Sequence, residues 1–129
     1  MQSEKVVVLG ASPKRERYSN MAQRLLMEIG CTVIPVNPGQ SEIEGVPVTR
    51  NLSDIPGSVD TVTMYVSPDV SEKLTSELIR LKPQRVIFNP GTESPTLQAT
   101  LEKSGIAVQE ACTLVLIRTG QWAPRVVSN

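Results

Sequence analysis

Five strand-like runs divide the chain, and the first, second and fourth end in glycine, proline or a polar turn. Lys5–Leu9 is the clearest and stops at Gly10. The others are "CTVIPVNP" (Cys31–Pro38), "SVDTVTMYV" (Ser58–Val66), "QRVIFNPG" (Gln84–Gly91) and "IAVQEA" (Ile106–Ala111). Continuous apolar runs of this length suit parallel strands covered on both faces. Between them the spacing turns helical. Met21, Leu25, Leu26 and Ile29 form one stripe, with Ser19 or Asn20 as the expected cap and Gly30 as the stop. Val70, Leu74, Leu78 and Leu81 form a second stripe, introduced by Ser67-Pro68-Asp69, with proline where a helix start tolerates it. Leu97 and Leu101 mark a shorter helix that Gly105 ends.

The remaining pieces are minor. "GVPV" reads as a short extended segment and "NLSDI" as a helical turn limited by Pro56, while "CTLVLIRTG" fits either an extended or a helical ending. The tail 120–129 looks peripheral, with Trp122 the residue placed to pack back. Strands alternating with helices predict an α/β domain, a mostly parallel five-stranded sheet with helices on both faces. In such a sheet ligands bind beyond the carboxyl ends of the strands, where strand order reverses. The loops after Leu9, Val36, Val66, Phe88 and Ala111 are therefore the candidates.

Length and composition narrow the function. The 129 residues suffice for one domain, 1–129, and not for two ordinary ones. Thirteen basic and thirteen acidic residues cancel, which argues against a nucleic-acid partner. Cys31 and Cys112 form no C-x-x-C pair and read as free thiols of a reducing compartment. With no basic-then-apolar leader and no long apolar run, a cytoplasmic protein away from the membrane is expected. The absence of histidine removes Ser-His-Asp and Cys-His catalysis, histidine metal sites and phosphohistidine chemistry.

The loop after the first strand invites comparison with a dinucleotide fingerprint, G-x-G-x-x-G with an acidic residue ending the second strand. Here it reads Gly10-Ala11-Ser12-Pro13-Lys14-Arg15-Glu16-Arg17, and the second strand closes on Val36-Asn37-Pro38. Two glycines and the carboxylate are missing, and no Walker A motif occurs. The loop offers charge instead. Lys14, Arg15 and Arg17 precede a helix N-terminus, where free N–H groups and the helix dipole favour an anion, and Ser12 and Ser19 add hydroxyl donors. The simpler alternative is a solvated basic loop.

The stretches "VVVLGASPKRERYS", "GCTVIPVNP", "IEGVPVTRNLSDIPGSVDTV" and "VIFNPG" follow one another over nearly the whole chain. In that order and spacing the chain resembles the CoA-binding domain family, whose Rossmann-like fold is similar to the N-terminal domain of the succinyl-CoA synthetase alpha subunit. The resemblance implies that Gly10, Ala11 and Ser12 turn against the phosphates of coenzyme A, with Arg17 and Ser19 reaching phosphate oxygens. It implies Asn37 and Pro38 beside the adenosine, near Lys14, and Val66 and Pro68 in the apolar floor. Asn89, Pro90 and Gly91 would border the pantetheine arm. The family often carries tryptophan and glutamine around the end of the fourth strand, where this chain has Phe88 and Asn89. The synthetases place a catalytic histidine in a separate domain, and neither is present, so synthetase chemistry is not implied.

The expected function is binding of coenzyme A or acyl-CoA without catalysis. The alternative is an enzyme acting on a CoA thioester or CoA disulfide, with Cys112 or a partner subunit supplying chemistry. A weaker alternative is an NADP-binding protein, its 2′-phosphate near Lys14. Buried cysteines more often fill core space, the expected role of Cys31, and turn or capping roles suit Asp54 and Asp60. No nucleophile stands beside a base. A partner protein or a homodimer is open, since "CTLVLI" and the tail could meet a second copy or cover a sheet edge.

Overall fold

The computed structural model describes residues 3–122. Five strands form the sheet: β1 (Lys5–Leu9), β2 (Thr32–Val36), β5 (Thr61–Met64), β6 (Arg85–Phe88) and β7 (Ala107–Glu110). Their order is β2-β1-β5-β6-β7, and every neighbouring pair is parallel. The reversal of strand order therefore falls between β1 and β5. Two short strands, β3 (Glu42–Ile43) and β4 (Val46–Pro47), make a separate antiparallel hairpin. The short extended piece expected at "GVPV" is thus β4, and its partner strand Glu42–Ile43 is the addition.

Alternation along the strands sends side chains to two cores. On one face Val7, Leu9, Val62, Met64, Val86 and Phe88 pack with Leu78, Leu81, Leu97 and Leu101. On the other Val6, Val8, Val33 and Ile87 pack with Leu26, Leu116 and Trp122. The helices α1 (Tyr18–Glu28) and α5 (Thr113–Arg118) supply the second face, α3 (Thr75–Leu81) and α4 (Pro95–Lys103) the first. The result is the expected α/β sandwich of three layers.

Three helical expectations need correction. The first helix begins at Tyr18, with Arg17 at the cap position and no side-chain cap, so Ser19 and Asn20 lie inside it and are buried. Its inward face carries Ser19, Asn20, Ala22, Gln23 and Leu26, while Ile29 is 48% exposed. The rotation follows from the hairpin: Gln23 Nε2 donates to Ile43 O (3.1 Å), and Asn20 Nδ2 donates to Ser12 O (2.9 Å) and Glu44 Oε2 (3.1 Å). Polar groups with partners can be buried, and they outcompeted the apolar stripe. The helix expected over 67–82 is broken into α2 (Pro68–Ser71), a 3-10 turn at Glu72–Leu74 and α3. Val70 is consequently exposed, Leu78 and Leu81 are fully buried in the core, and Leu74 packs against it half-buried. Leu97 and Leu101 are buried as expected, and Ser94 caps α4 by accepting from Leu97 N (3.2 Å).

At the amino ends of the strands a buried polar cluster holds Trp122. Arg85 donates through Nε to Thr61 Oγ1 (3.0 Å) and through Nη2 to Glu4 Oε2 (3.4 Å) and Trp122 O (3.1 Å). Its guanidinium stacks 4.3 Å from the Trp122 ring centroid, and Trp122 Nε1 donates to Glu4 Oε1 (2.9 Å). Trp122 thus packs back as expected; the rest of the tail lies outside the described residues. Asp60 serves the turn role expected of it, accepting from Lys5 N (2.8 Å). Asp54 also behaves as a turn residue, near Asn51 Nδ2 at 3.5 Å.

Candidate functional site

Everything converges on Gly10, where β1 ends at the strand reversal. Its φ is +94°, and a Cβ there would sit 2.7 Å from Tyr65 O and 2.9 Å from Val66 Cγ1. Only glycine lets the loops after β1 and β5 approach this closely. The turn is locked from the other side as well. Gly10 N and Ala11 N both donate to Val36 O (3.2 and 3.1 Å), and Asn37 Nδ2 donates to Ala11 O (2.7 Å). Asn37 Oδ1 accepts from Gly39 N (2.7 Å). Because the N–H groups of Gly10 and Ala11 are spent on β2, donors for an anion come from α1 and from side chains.

Two hollows meet at Gly10. The first, about 290 Å³, is mainly apolar and lies over the ends of β1 and β2. Leu9, Val36, Pro38, Leu52, Val66, Val70 and Leu74 line it, with Asn37, Arg50, Asn51, Ser53 and Glu77 as its polar residues. The second, about 350 Å³, is a more polar basin at the start of α1, lined by Gly10, Ser12, Glu16, Arg17, Tyr18, Ser19 and Tyr65. The helix offers this basin its first turn with no side-chain cap and no acidic residue. That end therefore keeps the partial positive charge of the dipole for a ligand. An apolar cleft joined to an anion-favouring basin fits a molecule with a heterocycle at one end and a phosphate chain beyond it.

Of the residues expected at the site, Asn37, Pro38 and Val66 line the cleft, Ser12, Arg17 and Ser19 line the basin, and Gly10 lines both. Ala11 is buried in the core facing α1. Lys14 and Pro68 line neither hollow, and nor do Asn89, Pro90 and Gly91. Arg15 is turned aside, paired through Nε with Glu44 Oε2 at 3.3 Å. Asn89 is buried and fully occupied. Its Nδ2 donates to Thr63 Oγ1 and Met64 O (both 2.8 Å), and its Oδ1 accepts from Thr113 N (2.8 Å). It ties β5, β6 and α5 together.

Sequence reasoning missed Arg50, Leu52 and Tyr65. Leu52 was hidden in a short 3-10 turn, and Arg50 in a loop whose register only the sheet sets. Tyr65 follows β5 directly, a place that could have flagged it. Burial pushes its phenol up to about 12. Cys112 is half-buried at the N-cap of α5. Cys31 is half-buried at the opposite end of the sheet, 3.9 Å from Glu4 Oε1; burial first, and then the Glu4 charge, push its thiol up to about 11. Among the described residues no group of three or more histidine, cysteine or carboxylate side chains could hold a metal, and no helix is long and apolar enough to cross a membrane.

The parallel sheet, its reversal at Gly10 and the paired hollows define a nucleotide-binding Rossmann-like domain. A family model described as a CoA binding domain matches residues 4–118, and the chain belongs to that family. Coenzyme A is accordingly its expected ligand. Among curated proteins, an uncharacterized protein of Bacillus subtilis (strain 168), YneT, is 33% identical over 64 residues, covering 50% of this chain and 47% of the relative. The match thus spans about half of that relative's length.

A crystal structure of an uncharacterized protein is 35% identical with a TM-score of 0.88, covering 95% of this chain and all of the other. A hypothetical protein from Pyrococcus horikoshii OT3 is 26% identical with a TM-score of 0.81, over 91% and 84% of the two chains. A dinucleotide-forming acetyl-coenzyme A synthetase from Ca. Korarchaeum cryptofilum shares the fold at 20% identity and a TM-score of 0.69. There the match covers 81% of this chain and 25% of the enzyme.

Proposed function

We propose that the protein binds coenzyme A or an acyl-CoA with its diphosphate in the basin at the start of α1 and its adenine in the apolar cleft. The observation that carries this reading is the junction of the two hollows at Gly10. Arg17 and Ser19 contribute side-chain donors at the basin, and the uncapped first turn contributes backbone N–H groups and the helix dipole. Leu9, Val36, Leu52, Val66 and Leu74 shield the heterocycle from water, and Asn37 fixes the turn that separates the two compartments. The thiol end of the ligand then leaves the domain unaccompanied by any nucleophile–base pair among the described residues. The domain on this reading is a carrier, a sensor or the CoA-binding part of a larger assembly.

Titration calorimetry of ligand-stripped protein with coenzyme A tests the reading. Saturable binding is expected, weakened roughly tenfold by Arg17→Ala through loss of a charge-assisted hydrogen bond. Binding unaffected by Arg17→Ala would move the diphosphate elsewhere, and NADP binding without coenzyme A binding would overturn the assignment.

A further inference from the structure

The apolar cleft has only two charged side chains in its lining, Arg50 and Glu77. Glu77 Oε1 is taken by Arg80 Nε at 3.2 Å. Arg50 is exposed, and no ion pair to it is present among the described residues. Its position is nonetheless set by the backbone. Thr49 N donates to Pro35 O (2.9 Å), and Asn37 N donates to Thr49 O (3.1 Å), a parallel bridge that clips Thr49 beside Val36. Arg50 is the first residue beyond that clip, so the chain carries it to the carboxyl end of β2 and over the mouth of the cleft.

In dinucleotide folds the end of the second strand meets the adenosine ribose: a carboxylate there holds free ribose hydroxyls, and a nearby arginine accommodates a phosphorylated one. Here the strand is followed by Asn37, whose amide is engaged at both ends, by Ala11 O and Gly39 N. The charged group at that place is a cation. A bare ribose can accept only a weaker hydrogen bond from it, whereas a ribose phosphomonoester gains a paired, charge-assisted contact with a guanidinium.

We propose that Arg50 is the residue by which this domain selects a phosphorylated adenosine ribose, and thus prefers coenzyme A to its 3′-dephospho form. This rests on the coenzyme A reading above and assigns the ribose phosphate a separate contact from the diphosphate at α1. The same chemistry is presented by the 2′-phosphate of NADP, so the test carries both pairs of ligands.

Calorimetric titrations would compare coenzyme A with 3′-dephospho-CoA, and NADP with NAD, for the unaltered protein, Arg50→Ala and Arg50→Glu. The unaltered protein is expected to bind coenzyme A roughly tenfold more tightly than the dephospho form, the scale of a hydrogen bond to a charged group. Arg50→Ala is expected to bring the two affinities within about twofold of each other by weakening coenzyme A alone, and Arg50→Glu to reverse the preference by charge repulsion. Equal binding of both forms by the unaltered protein, or a preference that survives both substitutions, would overturn the role of Arg50 while leaving the coenzyme A reading standing. Loss of the preference in Lys14→Ala but not in Arg50→Ala would overturn it in the same way. A preference found between NADP and NAD, with no binding of either coenzyme A form, would overturn the coenzyme A reading, and removal of that preference by Arg50→Ala would keep the ribose-phosphate role.

Discussion

Gly10 offers a test in which strain and crowding can be separated. Substituting alanine forces a side chain into left-handed backbone, at roughly 1–2 kcal/mol. The added Cβ would also meet Tyr65 O at 2.7 Å, Tyr65 C at 2.9 Å and Val66 Cγ1 at 2.9 Å. Two of those atoms are backbone and cannot swing aside, so the loop after β5 must move, at a further 1–3 kcal/mol or so by analogy with overpacked cores. The sum is about 2–5 kcal/mol, a large part of the 5–15 kcal/mol typical of a domain. Gly30 is the matched control: its φ is +93°, but a Cβ there meets nothing within 4 Å. Gly30→Ala should therefore show the conformational cost alone. In urea unfolding, with a slope of roughly 1.5 kcal/mol per M, Gly10→Ala is expected to lower the midpoint by about 1.3–3.3 M and Gly30→Ala by about 0.7–1.3 M. Equal shifts for the two variants would refute the claim that close approach of β1 and β5 is what demands glycine at position 10. Folded Gly10→Ala should also bind coenzyme A more weakly, because Gly10 borders both hollows.

Two further outcomes are expected. Arg85→Ala should cost about 3–5 kcal/mol in denaturant unfolding, because Glu4 and the Trp122 carbonyl lose a buried partner; a loss under 1 kcal/mol would show that the cluster is not what fastens Trp122. Alkaline pH should destabilise the fold, since the folded pKa values of Cys31 (about 11, ordinarily 9.0) and Tyr65 (about 12, ordinarily 10.0) are raised. Folding therefore retains protons that the unfolded chain releases, so this stability is complete below pH 9 and is lost as pH climbs through 11 to 12. Urea midpoints measured from pH 8 to 11 should fall, and less steeply in a Cys31→Ala, Tyr65→Phe variant; a flat profile would contradict the assignment.

Much of this architecture was written in local pattern. Apolar runs such as Val6–Leu9 and Val86–Phe88, bounded by turn residues, suit strands covered on both sides, and alternation with helical segments makes a parallel sheet the expectation. The glycine at the end of β1, the missing fingerprint glycines and the basic loop likewise stood in the sequence, and with them the expectation of a ligand richer in phosphate charge than NAD. What lay beyond local pattern was every choice among competing partners. Which face of α1 turned inward depended on Ile43 and Glu44 offering hydrogen bonds to Gln23 and Asn20, about twenty residues away. Arg15 and Arg17 are equivalent basic residues in the chain, yet Glu44 draws the first aside and leaves the second at the basin. Asn89 resembled a ligand contact until β5 and α5 claimed each end of its amide. Arg50 acquired its place only when Thr49 bridged to the end of β2. Periodicity is a property of neighbouring residues and fixes elements, whereas the direction of a polar side chain is fixed by whichever distant donor or acceptor the folded sheet brings within about 3 Å of it.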